Sequence, residues 1–139
     1  MATHFTPLIA VHTMAAITAL IIGPWAIWAR RGAVVRPELH RMLGRAWVAL
    51  MVFTALTALG IRHSPLAVWQ GMSWIHLLVP VTLIGLFLAV RAAMRRRIAQ
   101  HQRAMQQIYI AALVIPGLFT LLPSRLLGQL VWGQWLGWL

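Results

Sequence analysis

Polar positions along the chain are gathered into short runs that separate four long apolar stretches, at residues 7–28, 43–61, 74–90 and 105–122. A hydrocarbon core about 30 Å thick takes about 20 residues of helix at 1.5 Å each, and each stretch comes close to that length. The pattern predicts four membrane-spanning helices, joined at residues 29–42, 62–73 and 91–104 by connections short enough to make consecutive helices antiparallel neighbours. The expected fold class is therefore all-α, a single integral membrane domain over residues 1–139 built as an antiparallel four-helix bundle. No basic residue precedes the first stretch and the first charge is Arg30, so this stretch is expected to remain as helix 1 and not to act as a cleaved signal. After Pro123 the apolar segment 124–139 is too short to span. Its Trp132, Trp135 and Trp138 recur every three residues, an aromatic stripe suited to an interfacial segment. No internal repeat or low-complexity linker is apparent.

Composition reinforces the membrane assignment. Hydrophobic residues make up 61% of the chain and charged residues 9%, where a soluble domain carries about a quarter charged. The net charge of +11 comes from twelve arginines against one acid, Glu38. Nucleic-acid binding needs such charge on a soluble face, whereas these arginines lie between apolar runs. Arg30, Arg31, Arg36, Arg41 and Arg45 flank the first connection, and Arg91, Arg95, Arg96, Arg97 and Arg103 flank the third; Arg62 and Arg125 fall on the other side. The positive-inside rule then predicts a multi-pass protein of the bacterial inner membrane, with both termini outside and the Arg-rich loops cytoplasmic. Trp25, Trp28, Trp47, Trp69 and Trp74 lie near span ends, as membrane-belt residues do.

The missing residue types narrow the chemistry. Without Cys there is no disulfide, thiolate metal site or cysteine nucleophile. A single acid leaves no paired-carboxylate catalysis and no carboxylate relay within the membrane, and no catalytic residue is assigned. Six histidines remain. His12 and His76 lie at similar depth near the outer ends of helices 1 and 3. His40 begins helix 2, which Pro37 is suited to start, and His101 approaches helix 4 on the cytoplasmic side. Each pair joins alternate helices, which face each other diagonally in an up-down bundle. A b-type haem asks for this arrangement, one axial imidazole from each side of a flat ring held between two helices. Ala15, Ala16, Ala19 and Gly23 continue the face of His12, and Gly44 lies one turn along from His40. Pro80 removes the backbone donor that would bond the His76 carbonyl. Met105, four residues after His101, reads as packing, and His4 and His63 as solvated side chains.

Several segments resemble a bacterial four-helix membrane family of unknown function: V-H-T-M-A-A at Val11–Ala16, E-L-H-R-M-L-G-R-A-W at Glu38–Trp47, W-I-H-L at Trp74–Leu77 and Q-H-Q-R-A-M at Gln100–Met105. The most specific of these is the H-R-x-x-G-R core. The order of the histidines is also similar to the di-haem transmembrane cytochrome b family reduced by ascorbate. That resemblance pairs His12 with His76 and His40 with His101, and implies electron transfer across the membrane.

The resulting expectation is a small protein carrying electrons across or within the membrane. The four histidines would ligate the iron of one or two haems b, with Gly44, Arg41 and Arg45 lining the cofactor site. Arg36, Arg97 and Arg103 are also placed to meet propionates or an anionic donor. The partners expected are the bilayer, an electron donor and acceptor, and a further copy or larger membrane complex, with no nucleic acid. Two alternatives stand beside this reading: a non-catalytic membrane subunit or scaffold, and a His-based copper or zinc site.

Overall fold

The computed structural model describes residues 6–30, 36–61 and 74–138, and every described segment is helical or turn. The expectations for Arg31, Arg62, His4, His63, Trp69 and the 62–73 connection lie outside the described residues. Helix α1 is Pro7–Trp28, with Pro7 in its first turn and the Thr6 hydroxyl accepting from the Ile9 N–H at 3.3 Å. Helix α2 is Pro37–Ala58. A tight turn, Trp74–Leu77, leads into α3, Leu78–Met94. Helix α4, Ile98–Ile108, runs through a wide π turn, Tyr109–Val114, into α5, Ile115–Thr120. A last short helix, α6 (Leu126–Gly128), continues as a second wide turn, Gln129–Trp135.

The first helix keeps its expected bounds, and the others differ for local reasons. α2 starts six residues earlier than the apolar stretch because Pro37 and the polar turn after it are already helical. Likewise α4 begins at Ile98, so that His101 lies inside the helix and not in its approach. Apolarity marks where a chain can sit in lipid, whereas hydrogen bonding continues past that boundary into water. Pro116 has no N–H for the Ala112 carbonyl, and the turn ahead of it opens to π geometry.

α1 packs on α2, α2 on α3 and α3 on α4, and the Tyr109–Val114 turn returns to α1 and closes the circuit. The interior of α1 is made of small residues, Ala15, Ala19, Gly23 and Ala26, recurring at three or four positions. Trp47, Met51, Leu86, Ile108 and Leu113 fill the space they leave. Large apolar side chains face outward instead: Met14 is 69% exposed, Phe87 64% and Ile84 60%. Small inside and oily outside suits a protein whose solvent is lipid, where close helix packing replaces hydrophobic burial. Three helices, Pro7–Trp28, Pro37–Ala58 and Ile75–Met94, are long and apolar enough to cross a membrane.

Candidate functional site

Inside a bilayer there is no water to satisfy a backbone carbonyl that helix geometry leaves unpaired, and one part of the site is built on such a carbonyl. At the end of α1 the Arg30 N–H bonds the Ile27 carbonyl at 3.1 Å, and the Ala26 carbonyl is left to another donor. His40, in the first turn of α2, meets it with Nδ1 at 2.8 Å. In the second hairpin His101 of α4 places Nδ1 3.0 Å from the carbonyl of Ala89, a residue within α3. A carbonyl only accepts, so each ring donates through Nδ1, and in the neutral ring Nε2 is then the nitrogen with the lone pair. The two rings approach one another, with centroids 6.4 Å apart and planes at 90°. The expected inner pair is thus brought together.

His12 reaches across to α2, its Nδ1 3.0 Å from the Thr57 hydroxyl. That hydroxyl spends its own hydrogen on the Phe53 and Thr54 carbonyls, at 2.9 and 3.0 Å, so the ring must be the donor. His12 therefore shares the tautomer of the inner pair. His76, in the turn before α3, uses the opposite nitrogen, Nε2, toward the Ile61 carbonyl at 3.2 Å. For the expected outer pair, then, the structure gives a shared anchor toward the far end of α2.

Of the other expected site residues, Gly44 leaves open space, with nothing within 4 Å of the position a Cβ would take. Arg41 and Arg45 are exposed and line a shallow depression with Glu38 and Met42. The Arg41 Nε donates to the Pro37 carbonyl at 3.4 Å. Arg36 lies over the Trp28 ring, 5.7 Å from its centroid. Arg97 and Arg103 are exposed on α4's side. Met105 packs against the core, as a space-filling residue does.

Sequence reasoning missed the middle of the site. Trp47 is not a belt residue: it is 5% exposed and sits in the core. Its ring centroid lies 6.5 Å from that of Tyr109. Pro24 cannot donate to the Leu20 carbonyl, and the Tyr109 hydroxyl does so instead at 3.0 Å. Both aromatics press on Gly23, where a Cβ would come within 2.6 Å of the Tyr109 ring and 3.2 Å of the Trp47 indole nitrogen. The heptad spacing of His40, Trp47 and Thr54 places them on one face of α2. That spacing was the available signal. The Trp47 N–H and the Thr54 hydroxyl oxygen are buried without a protein hydrogen-bond partner.

A single family model, described as predicted membrane protein (DUF2306), matches residues 9–138, nearly the whole chain. No curated protein and no solved structure matches it. The likeness joins the outward-facing apolar helices to a family whose description gives location and no activity, and the chain belongs to the DUF2306 family of membrane proteins.

Proposed function

We propose that the protein is a small b-type cytochrome that carries electrons within or across the bacterial inner membrane, with His40 and His101 as the axial ligands of a haem. The observation that carries this reading is the inner pair itself. The two rings come from hairpins far apart in sequence, stand 6.4 Å apart, and are each fixed through Nδ1 to a backbone carbonyl. A metal midway would be half that distance from each ring centre, which would leave about 2 Å, the length of a metal–imidazole bond, to a nitrogen that faced it. Edge-to-face packing of two rings covers the same range of separations. The carbonyl bonds are what favour ligation, because a ligating imidazole donates its other nitrogen to such an acceptor.

A haem suits two ligands better than a bare ion does. Among the described residues no group of three or more His, Asp or Glu gathers. Zinc takes three or four protein ligands, whereas a macrocycle brings four nitrogens and needs only the two axial positions filled. The open space at Gly44, one turn along from His40, adds room on the same face. When bound, the haem supplies one-electron chemistry; the protein supplies the ligands and a low-dielectric cage. His12 and His76 make a second station, roughly 25 Å further along α2 by helix rise. There His76, whose Nε2 faces the Ile61 carbonyl, would ligate through Nδ1.

The same reading takes the run from α4 to α5 as a fourth span completing an antiparallel bundle. It sets the Arg-rich ends in the cytoplasm, both termini outside, and the Trp-rich tail in the interface. The test is haem uptake. Protein purified free of haem, titrated with haemin, should bind at the inner site with a saturating Soret shift, and His40→Ala and His101→Ala should each abolish that binding. Equal uptake by wild type and both variants would contradict the assignment.

A further inference from the structure

The turn between α3 and α4 is closed by two backbone hydrogen bonds, from the Arg97 N–H to the Ala92 carbonyl at 2.9 Å and from the Arg96 N–H to the Ala93 carbonyl at 3.0 Å. This is the Schellman ending of a helix, in which one residue takes the left-handed conformation and is usually glycine. Here that residue is Arg96, with φ of +58°, the one non-glycine at positive φ among the described residues. An L side chain is strained in this conformation and glycine is not. The turn itself asks only for glycine, so an arginine there points to a use for its charge.

The surroundings indicate the partner. Arg95, Arg96 and Arg97 are all exposed. They are flanked by exposed apolar side chains, Met94 at 80% and Ile98 at 45%. With one acid for twelve arginines, the chain itself cannot neutralise them. The turn ends a helix long and apolar enough to cross a membrane, which puts the guanidinium groups at headgroup depth and the two apolar side chains against the acyl boundary. An acidic soluble protein would account for the charge but not for the apolar flanks. We propose that the Met94–Ile98 turn binds the phosphate of an anionic phospholipid headgroup, with Arg96 held in its strained conformation for that contact. Guanidinium groups match phosphate in a bidentate way, and basic residues beside a span are the usual readers of anionic lipid. This inference is independent of the haem reading, and pigment is not its readout.

The experiment compares wild type with Arg96→Gly and with Arg95, Arg96 and Arg97 all changed to Gln. Purified protein is reconstituted in phosphatidylcholine, and the relative association of spin-labelled phosphatidylglycerol over spin-labelled phosphatidylcholine is measured beside thermal unfolding. Wild type should prefer phosphatidylglycerol. Arg96→Gly should unfold at the same or a higher temperature while losing about two- to fivefold of that preference, the upper figure matching the attraction of one arginine near an anionic surface. The triple variant should show no preference. The proposal is overturned if wild type shows none, if Arg96→Gly or the triple variant keeps it undiminished, or if Arg96→Gly unfolds at a lower temperature.

Discussion

Backbone carbonyls anchor His40, His101, His76 and Tyr109, while His12 is anchored by the Thr57 hydroxyl. Pro24 leaves the Leu20 carbonyl unpaired, and Tyr109 answers it from another helix. Tyr109→Phe keeps the ring and strands that carbonyl, and is expected to cost about 1–3 kcal/mol, read as a lower unfolding temperature in detergent. Gly23→Ala drives a methyl group into the same ring and should lose about 1–3 kcal/mol by overpacking. Gly44→Ala meets nothing within 4 Å, so in haem-free protein it should gain up to about 1 kcal/mol from better helix propensity. In the haem-loaded protein it should weaken retention of the pigment, because its methyl group enters the space proposed for the macrocycle. Pro24 could be read from the sequence as a residue that frees the carbonyl four positions earlier. The partner could not, because that depends on how α4 returns to α1. Trp47 shows the same limit: its position near the start of a span suggested a belt residue, and only packing against Gly23 and Tyr109 reveals a core one.

At the scale of elements, the apolar runs located α1, α2 and α3, because a bilayer requires long apolar segments. Their ends were less legible. Caps and first turns are polar, so α2 and α4 reach beyond the apolar stretches into residues that include His40 and His101. The likeness between the hairpins was also hidden. Its carriers are a histidine and the carbonyl of an alanine fourteen residues earlier in one hairpin and twelve in the other, and a carbonyl leaves no trace in side-chain identity. The tail is a separate case. Trp132 donates to the Leu121 carbonyl at 2.7 Å and stacks on Trp138, while Trp135 is 82% exposed. A chain ending at Ser124 should keep the helical circular dichroism of α1 to α5 and its haem uptake, but partition less firmly into vesicles. Loss of helicity across the whole spectrum would show that the tail holds the bundle together.

At the scale of the whole molecule two asymmetries matter, the proposed one of charge along the membrane normal and the observed one of side-chain size from the axis outward. The first rests on the arginine positions in the sequence, and the sidedness it proposes is testable because the chain contains no cysteine. A cysteine introduced at Ala99 should react with an impermeant maleimide only after the cytoplasmic face is opened, and one at Gln134 should react in intact cells; the reverse pattern would invert the topology. The second asymmetry gathers chemistry onto α2, which carries His40, receives His12 through Thr57 and faces Trp47 inward. Histidine order suggested both pairs; the inner one meets ring to ring, and His76 turns its Nε2 to the end of α2. The central claim is that His40 and His101 hold a haem, and the most direct measurement is the reduced-minus-oxidised absorption spectrum of protein purified from haem-replete cells. The account predicts a Soret band and a sharp reduced α-band in wild type, and loss of the inner-site contribution in His40→Ala and in His101→Ala. Folded but colourless wild type, or a spectrum unchanged by both substitutions, would contradict it.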